Sequence, residues 1–249
     1  MISHIVYSHS SYYDVLTLYM NQYIRLFSNN FNKYLFSDIQ SPTKEWDTVL
    51  YKNEMPYKDR LIHCLSRIES EYILFDHEDM ILYDRPNYDL LIEYIDVLKN
   101  SRYNFVRLLA SGIGDVVRDY EGKLRTEMFN QINNTLYEIP NYGNTLPLSI
   151  QSSIFKKSNL IELLKTLPNS ITGNVGPSNI ESLCLNKKDY IGLFHYNNEN
   201  ARGGHFDSNA YPYIATAITK GKWNYNEYKN IMNNICQKYN IDINNRGYI

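Results

Sequence analysis

The stretch YILFDHEDMIL, residues 72–82, sets four polar side chains between two apolar runs. Tyr72 to Phe75 has no solvent-facing alternation, as expected of a strand buried on both faces of a sheet. Asp76, His77, Glu78 and Asp79 follow at once, and Met80, Ile81 and Leu82 resume the apolar pattern. Crowded carboxylates raise one another's pKa unless a cation neutralises them. A hard divalent ion with oxygen ligands would do so, and it could also bridge a diphosphate. The competing reading is a solvated acidic turn with His77 on the surface. The position favours a ligand, because open α/β sheets bind ligands beyond the carboxyl ends of their strands.

The flanking sequence alternates strand and helix patterns. Upstream, strands are expected at 2–8, 33–37 and 48–51, and helices at 12–28 and 57–69. Leu61, Ile62, Leu65 and Ile68 lie on one face of the second helix. Asn29 and Asn30 suit the end of the first helix, since Asn tolerates left-handed backbone. Downstream come a helix over 87–98 and a strand over 105–109, and then polar, Gly-containing sequence from 112 to 143 that suggests loops or a hairpin. Residues 148–155 are strand-like. Helices are expected over 158–167, capped by Ser158, and over 178–184, where Ser178 and Glu181 have capping-box spacing. A loop over 173–177, a strand over 190–195 and helices over 208–219 and 225–239 complete the pattern. The sum is an α/β fold with a mostly parallel central sheet flanked by helices, in a single domain over 1–249.

Composition narrows the function classes. The net charge is −2, the pI is near 6.3 and no Lys/Arg run occurs, so a nucleic-acid footprint is missing. No stretch approaches the ~20 apolar residues of a membrane span, and the N-terminal sequence does not read as a signal peptide. Cys64, Cys184 and Cys236 are widely spaced and lack a CxxC pattern, which fits buried thiols in the cytosol and not a structural zinc site. The 24 Tyr residues and abundant Asn are good sugar-contacting types, one for stacking and the other for paired hydrogen bonds.

The segment 72–82 resembles the strand-turn-strand that carries the metal motif in glycosyltransferases of the GT-A fold. The resemblance implies a Rossmann-like GT-A architecture, with residues 1–110 binding a nucleotide sugar and 111–249 binding the acceptor. It implies Mn²⁺ or Mg²⁺ held by Asp79, with His77 and Asp76 beside it. His77 stands where the family has an aspartate, so Asp76 or Glu78 is the substitute ligand to consider. Ser8 and His9, after the first strand, then fall where a nucleotide base would sit. Asp38, after the second, falls at base or ribose. Arg60 would reach the nucleotide or its phosphates, or it is a surface residue paired with Asp59 or Glu69. The donor would be a UDP- or GDP-sugar and the acceptor a glycan or other hydroxyl.

The late segment ARGGHFDSNAYPYIATAITKGKW, residues 201–223, carries further candidates. Paired glycines let a backbone approach a ligand, Arg202 suits phosphate and His205 suits a metal. The resemblance implies that His205, with His195 as the reserve, closes on metal and diphosphate. Asp207 reads as a helix cap or as an acceptor-binding or basic group. Glu181 falls about where an inverting GT-A enzyme keeps its base, and the capping box claims it equally. Two alternatives stand beside the transferase. A sugar-1-phosphate nucleotidyltransferase would need a Gly-rich loop after the first strand, where this chain has SHSSYYD. A non-catalytic carbohydrate-binding protein of the same fold would need no nucleotide.

Overall fold

The computed structural model describes residues 2–26, 31–112, 118–140, 148–168, 177–185, 187 and 189–249. The expected helix stop at Asn29 and Asn30 and most of the loop over 173–177 lie outside them.

Among the described residues eight strands form one sheet: β1 Ile2–Tyr7, β2 Asn32–Ser37, β3 Asp47–Leu50, β4 Tyr72–His77, β5 Phe105–Arg107, β6 Leu136–Glu138, β7 Ser153–Lys156 and β8 Gly192–His195. Their order is β3-β2-β1-β4-β7-β5-β8-β6. β7 and β6 run antiparallel to their neighbours, and the rest are parallel. The sheet draws strands from both halves of the chain.

Alternation along the strands divides the core. Ile5, Phe36, Ile73, Phe75, Phe105 and Phe194 face the side of α2 (Tyr57–Leu65) and α4 (Lys157–Thr166). Val6, Leu35, Leu74, Val106 and Leu193 face α1 (Tyr13–Leu26) and α3 (Tyr88–Lys99). α5 is Pro177–Leu183, and α6, Lys229–Tyr239, packs with Val15 and Leu18 of α1 in a third cluster. Asn87 caps α3 by accepting from Leu90 N at 3.3 Å. Asn240 ends α6 in the left-handed conformation that Asn tolerates.

Three expectations need correction. Ser158 does not cap α4, because β7 runs directly into the helix. Lys156 N and Lys157 N bond instead to the carbonyls of Asn104 and Glu71. Glu181 closes no capping box. α5 starts at Pro177, the favoured first position for proline, and Glu181 Oε1 accepts from Ile150 N at 2.5 Å.

The largest correction concerns residues 208–219, which form no helix. The segment laces along residues 79–87: Asn87 N bonds Ala210 O, Tyr83 N bonds Pro212 O, Ile214 N bonds Ile81 O and Ala217 N bonds Asp79 O. Ala210, Tyr211, Tyr213, Ile214 and Ala217 are all buried. A segment with apolar residues on several sides and a central proline is better satisfied by a neighbouring chain than by its own helical turns. It leads into the hairpin of β11 (Ile218–Thr219) and β12 (Lys222–Trp223), whose turn residues Lys220 and Gly221 both have positive φ.

Candidate functional site

The parallel register sets the carboxyl ends of the strands side by side. Tyr7 pairs with Phe36 on β2 and with His77 on β4. Ser8, Asp38 and Glu78 therefore emerge along one edge of the sheet, with the 3₁₀ turn Ser10–Tyr12 above.

The four residues of the DHED turn do not act together. Asp76 is fully buried on the α1 side, where its Oδ2 accepts from the hydroxyls of Tyr19 (2.7 Å) and Tyr211 (2.5 Å) and lies 2.8 Å from His4 Nε2. This arrangement makes Asp76 an internal anchor and not a ligand at the open edge. His77 points to the other face, 2.7 Å from the Tyr57 hydroxyl and against the rings of Tyr7 and Phe75. Burial lowers its pKa to about 4, so the ring is neutral at pH 7.

Glu78 and Asp79 remain at the edge. Burial holds Glu78 well above the ordinary carboxylate range, and the charge of Asp79 pushes it further. Burial also raises Asp79, to about 6, although it accepts a backbone hydrogen bond from Ile218. The Ser8 hydroxyl faces Glu78. Two adjacent carboxylates, desolvated and mutually repelling, have the chemistry of a hard-cation site that leaves positions for other oxygens. Among the described residues no three His, Cys, Asp or Glu side chains converge as a ligand set.

The neighbouring loop is tightly built. Asp38 accepts from Ser10 N (2.7 Å), Ser10 Oγ (2.6 Å) and Asn53 Nδ2 (3.0 Å), and His9 Nε2 lies 3.6 Å away. These bonds outweigh burial and lower Asp38 to about 2. His9 Nδ1 accepts from Ser11 N, closing the turn. The rings of Tyr7 and Tyr51 stack 5.2 Å apart, and the Tyr51 hydroxyl donates to Ser8 O at 2.6 Å. Arg60 pairs with neither Asp59 nor Glu69 in the bonds described. It donates to Met55 O and Asn53 O and covers the Tyr51 ring at 4.9 Å, so it secures the loop over 53–55.

Glu181 belongs to a third group. Its charge acts on Tyr57 and on Arg107, a fully buried arginine in β5. Burial lowers Arg107 to about 10, while Glu181 opposes that shift. Sequence reasoning passed over Arg107, although a cation inside the apolar run FVRLL was a visible signal.

The late candidates form a separate polar cluster. Arg202 and His205 sit on a short hairpin, β9 (Ala201–Arg202) and β10 (His205–Phe206). Arg202 binds Asp207 through two contacts, of 3.0 and 3.3 Å, and covers the Tyr228 ring. Asp207 is thus an ion-pair partner and caps no helix. His205 Nε2 is 2.5 Å from the Tyr228 hydroxyl, and Glu227, Asp207, Arg202 and Arg118 are the charges acting on it. His195 is fully buried between Tyr94, Glu199 and Asn209.

No family model and no curated protein matches the chain. Solved structures do match. A structure of S. aureus TarS aligns over 98% of this chain and 41% of that chain, with a TM-score of 0.52 and 13% identity. Structures of S. aureus TarS 1-349 in complex with UDP and with UDP-GlcNAc align over 98% of this chain and over 68% and 69% of theirs. Their TM-scores are 0.51 and 0.50, each at 14% identity. At such identities the likeness is one of fold: a Rossmann-like, GT-A-type α/β fold with a mostly parallel sheet. This chain spans less than half of the longer TarS chain. Among the described residues no helix is long and apolar enough to cross a membrane.

Proposed function

We propose that this chain is a glycosyltransferase that moves a sugar from a nucleotide-diphosphate-sugar donor to a hydroxyl acceptor, such as a glycan, with the help of Mn²⁺ or Mg²⁺. The observation that carries this reading is the Glu78–Asp79 pair, a buried and a half-buried carboxylate, both of raised pKa, at the carboxyl edge of a parallel sheet. The likeness of fold to TarS, whose structures hold UDP and UDP-GlcNAc, supports the donor class. Glu78 and Asp79 would hold the cation. Mg²⁺ is typically bound by one or two carboxylates together with substrate phosphates, so a two-carboxylate site fits. When bound, the cation neutralises charge on the leaving diphosphate.

The chain's own groups do the rest. The loop over 8–11 and Asp38 form the nucleotide wall, with the Tyr7–Tyr51 stack beneath. Glu181 takes the proton of the acceptor hydroxyl as that oxygen attacks the anomeric carbon and the bond from that carbon to phosphate breaks. The free thiols of Cys64, Cys184 and Cys236 fit a cytosolic setting.

A melting panel of UDP-, GDP-, CMP- and dTDP-sugars, with and without Mn²⁺, tests the donor site. A ligand at ~100 times its Kd adds about 2.7 kcal/mol of stability. A metal-dependent shift with one nucleotide supports the reading. No shift with any of them sinks it and leaves a carbohydrate-binding protein of the same fold. For the base, Glu181→Gln is expected to lower kcat by about 10²–10⁴-fold with donor affinity intact. Unchanged turnover would confine Glu181 to its bond with Ile150.

A further inference from the structure

Arg246 lies far from the acidic turn in sequence and next to it in space. Its guanidinium grips Asp14 through Nε, at 2.6 Å, and Nη2, and Nη2 also donates to Ser11 O at 2.8 Å. It stands 5.0 Å over the Tyr12 ring. Ser11 and Tyr12 belong to the turn that follows β1, whose first loop residue, Ser8, faces Glu78. Tyr12 itself feels the charges of Glu78 and Asp79, and Glu78 acts on Arg246. An arginine fork therefore stands on the turn that adjoins Glu78 and acts on that carboxylate, one of the two proposed to hold the cation, which is where the phosphates bridged by that cation would come.

Backbone bonds of its neighbours hold the segment that carries Arg246. Trp223 N bonds Gly247 O, Ile249 N bonds Trp223 O and Asn226 N bonds Ile249 O. Gly247 has a φ of 67°, which lets the segment turn back onto β12. The two partners differ in exposure: the Asp14 side chain is 53% exposed and that of Arg246 16%. Such a carboxylate returns to water at little cost, whereas a phosphate oxygen offers the same fork a more highly charged acceptor.

We propose that Arg246 binds the donor's phosphates, and that Asp14 holds its place in the free protein and gives it up when the donor enters. This rests on the nucleotide-sugar reading above. The geometry that suits a ligand suits a plain structural ion pair as well, but the two predict opposite behaviour for Asp14. If the pair is structural, removing either partner does the same damage. If Asp14 is a stand-in, removing it helps the donor or leaves it unaffected.

The experiment is calorimetric titration of UDP with Mn²⁺ into the wild type, Arg246→Gln, Arg246→Lys and Asp14→Asn, with uridine binding followed by ligand-observed NMR. Arg246→Gln is expected to weaken UDP by about ten- to a hundredfold and leave uridine unchanged. Arg246→Lys, which keeps the charge but loses the fork, falls between, and it carries the test if the Gln variant does not fold. Asp14→Asn binds UDP as tightly as the wild type or more tightly. Equal weakening by Asp14→Asn and Arg246→Gln would overturn the proposal, as would an Arg246→Gln variant that binds UDP normally. Failure of the wild type to bind any nucleotide sugar would instead remove the donor reading, and this proposal with it.

Discussion

The acidic turn over 76–79 and the hairpin over 201–207 looked alike in sequence, each a knot of charge and histidine after a strand. In the folded chain they differ in how their charges are matched. At the hairpin, Arg202 binds Asp207, His205 meets Tyr228, and His195 meets Glu199. At the turn, Asp76 is matched, with two tyrosines and a histidine on one oxygen. Glu78 and Asp79 are only partly matched: the Ser8 hydroxyl and the Arg246 charge favour ionised Glu78 and the Ile218 N–H favours ionised Asp79, yet burial, and for Glu78 the charge of Asp79, keeps both pKa values raised. A polar cluster with its partners in place is architecture. A pair of desolvated carboxylates that resists ionisation has the chemistry that a cation would stabilise.

Asp76 is the most firmly built point of the turn. Asp76→Ala removes the acceptor shared by His4, Tyr19 and Tyr211 and is expected to cost about 3–5 kcal/mol in urea unfolding. A loss below about 1 kcal/mol would mean that the anchor is not one. Next comes Asp79→Asn, expected to weaken Mn²⁺-dependent UDP binding by about a hundredfold or more. The same variant should melt higher than the metal-free wild type at pH 7, by about 2–4 °C for each kcal/mol of relieved charge. A lower melting point would show that the hydrogen bond from Ile218 outweighs the cost of burying the Asp79 charge.

The pH dependence follows in sign. The folded pKa of Asp79, about 6, lies above its ordinary 3.8. Its contribution to stability is therefore present below about pH 4 and is lost as pH rises through about 6. Mn²⁺ affinity should rise through the same window, because the metal needs the ionised form. Wild-type melting without metal should decline there more steeply than that of Asp79→Asn.

The hairpin should respond only in stability. Arg202→Ala loses a partly buried, two-contact ion pair and is expected to cost about 1–2 kcal/mol with UDP affinity unchanged. A loss of UDP affinity larger than the loss of stability would return the hairpin to the donor site. The smallest effect is a control: Lys99→Ala breaks an exposed i,i+3 pair with Asp96 and should stay within about 0.5 kcal/mol.

Much of the fold was legible because strand burial and helix periodicity are local. The apolar runs at 2–8, 72–75 and 190–195 lie in central strands, and the 57–69 and 87–98 patterns became α2 and α3. The 208–219 segment misled because spacing alone cannot separate a buried helix from an extended strip whose backbone is satisfied by another segment. For the site, strand-end position pointed to Glu78, Asp79, Ser8 and Asp38. Which of four consecutive polar residues faced the edge was not legible. Asp76 and His77 turn to opposite faces of the sheet, and only packing shows that Tyr19 and Tyr211 await one and Tyr57 the other.

The layered α/β plan, the polar strand ends and the acidic character of the central turn were all readable from the chain alone. These follow from side-chain type and spacing along a short stretch of chain. Tertiary structure alone decided the partners: Tyr211 on Asp76, Asp207 on Arg202, Arg107 near Glu181 and Arg246 beside Glu78. Each joins segments distant in the chain, through distance and desolvation, and those are properties of packing that no local pattern encodes.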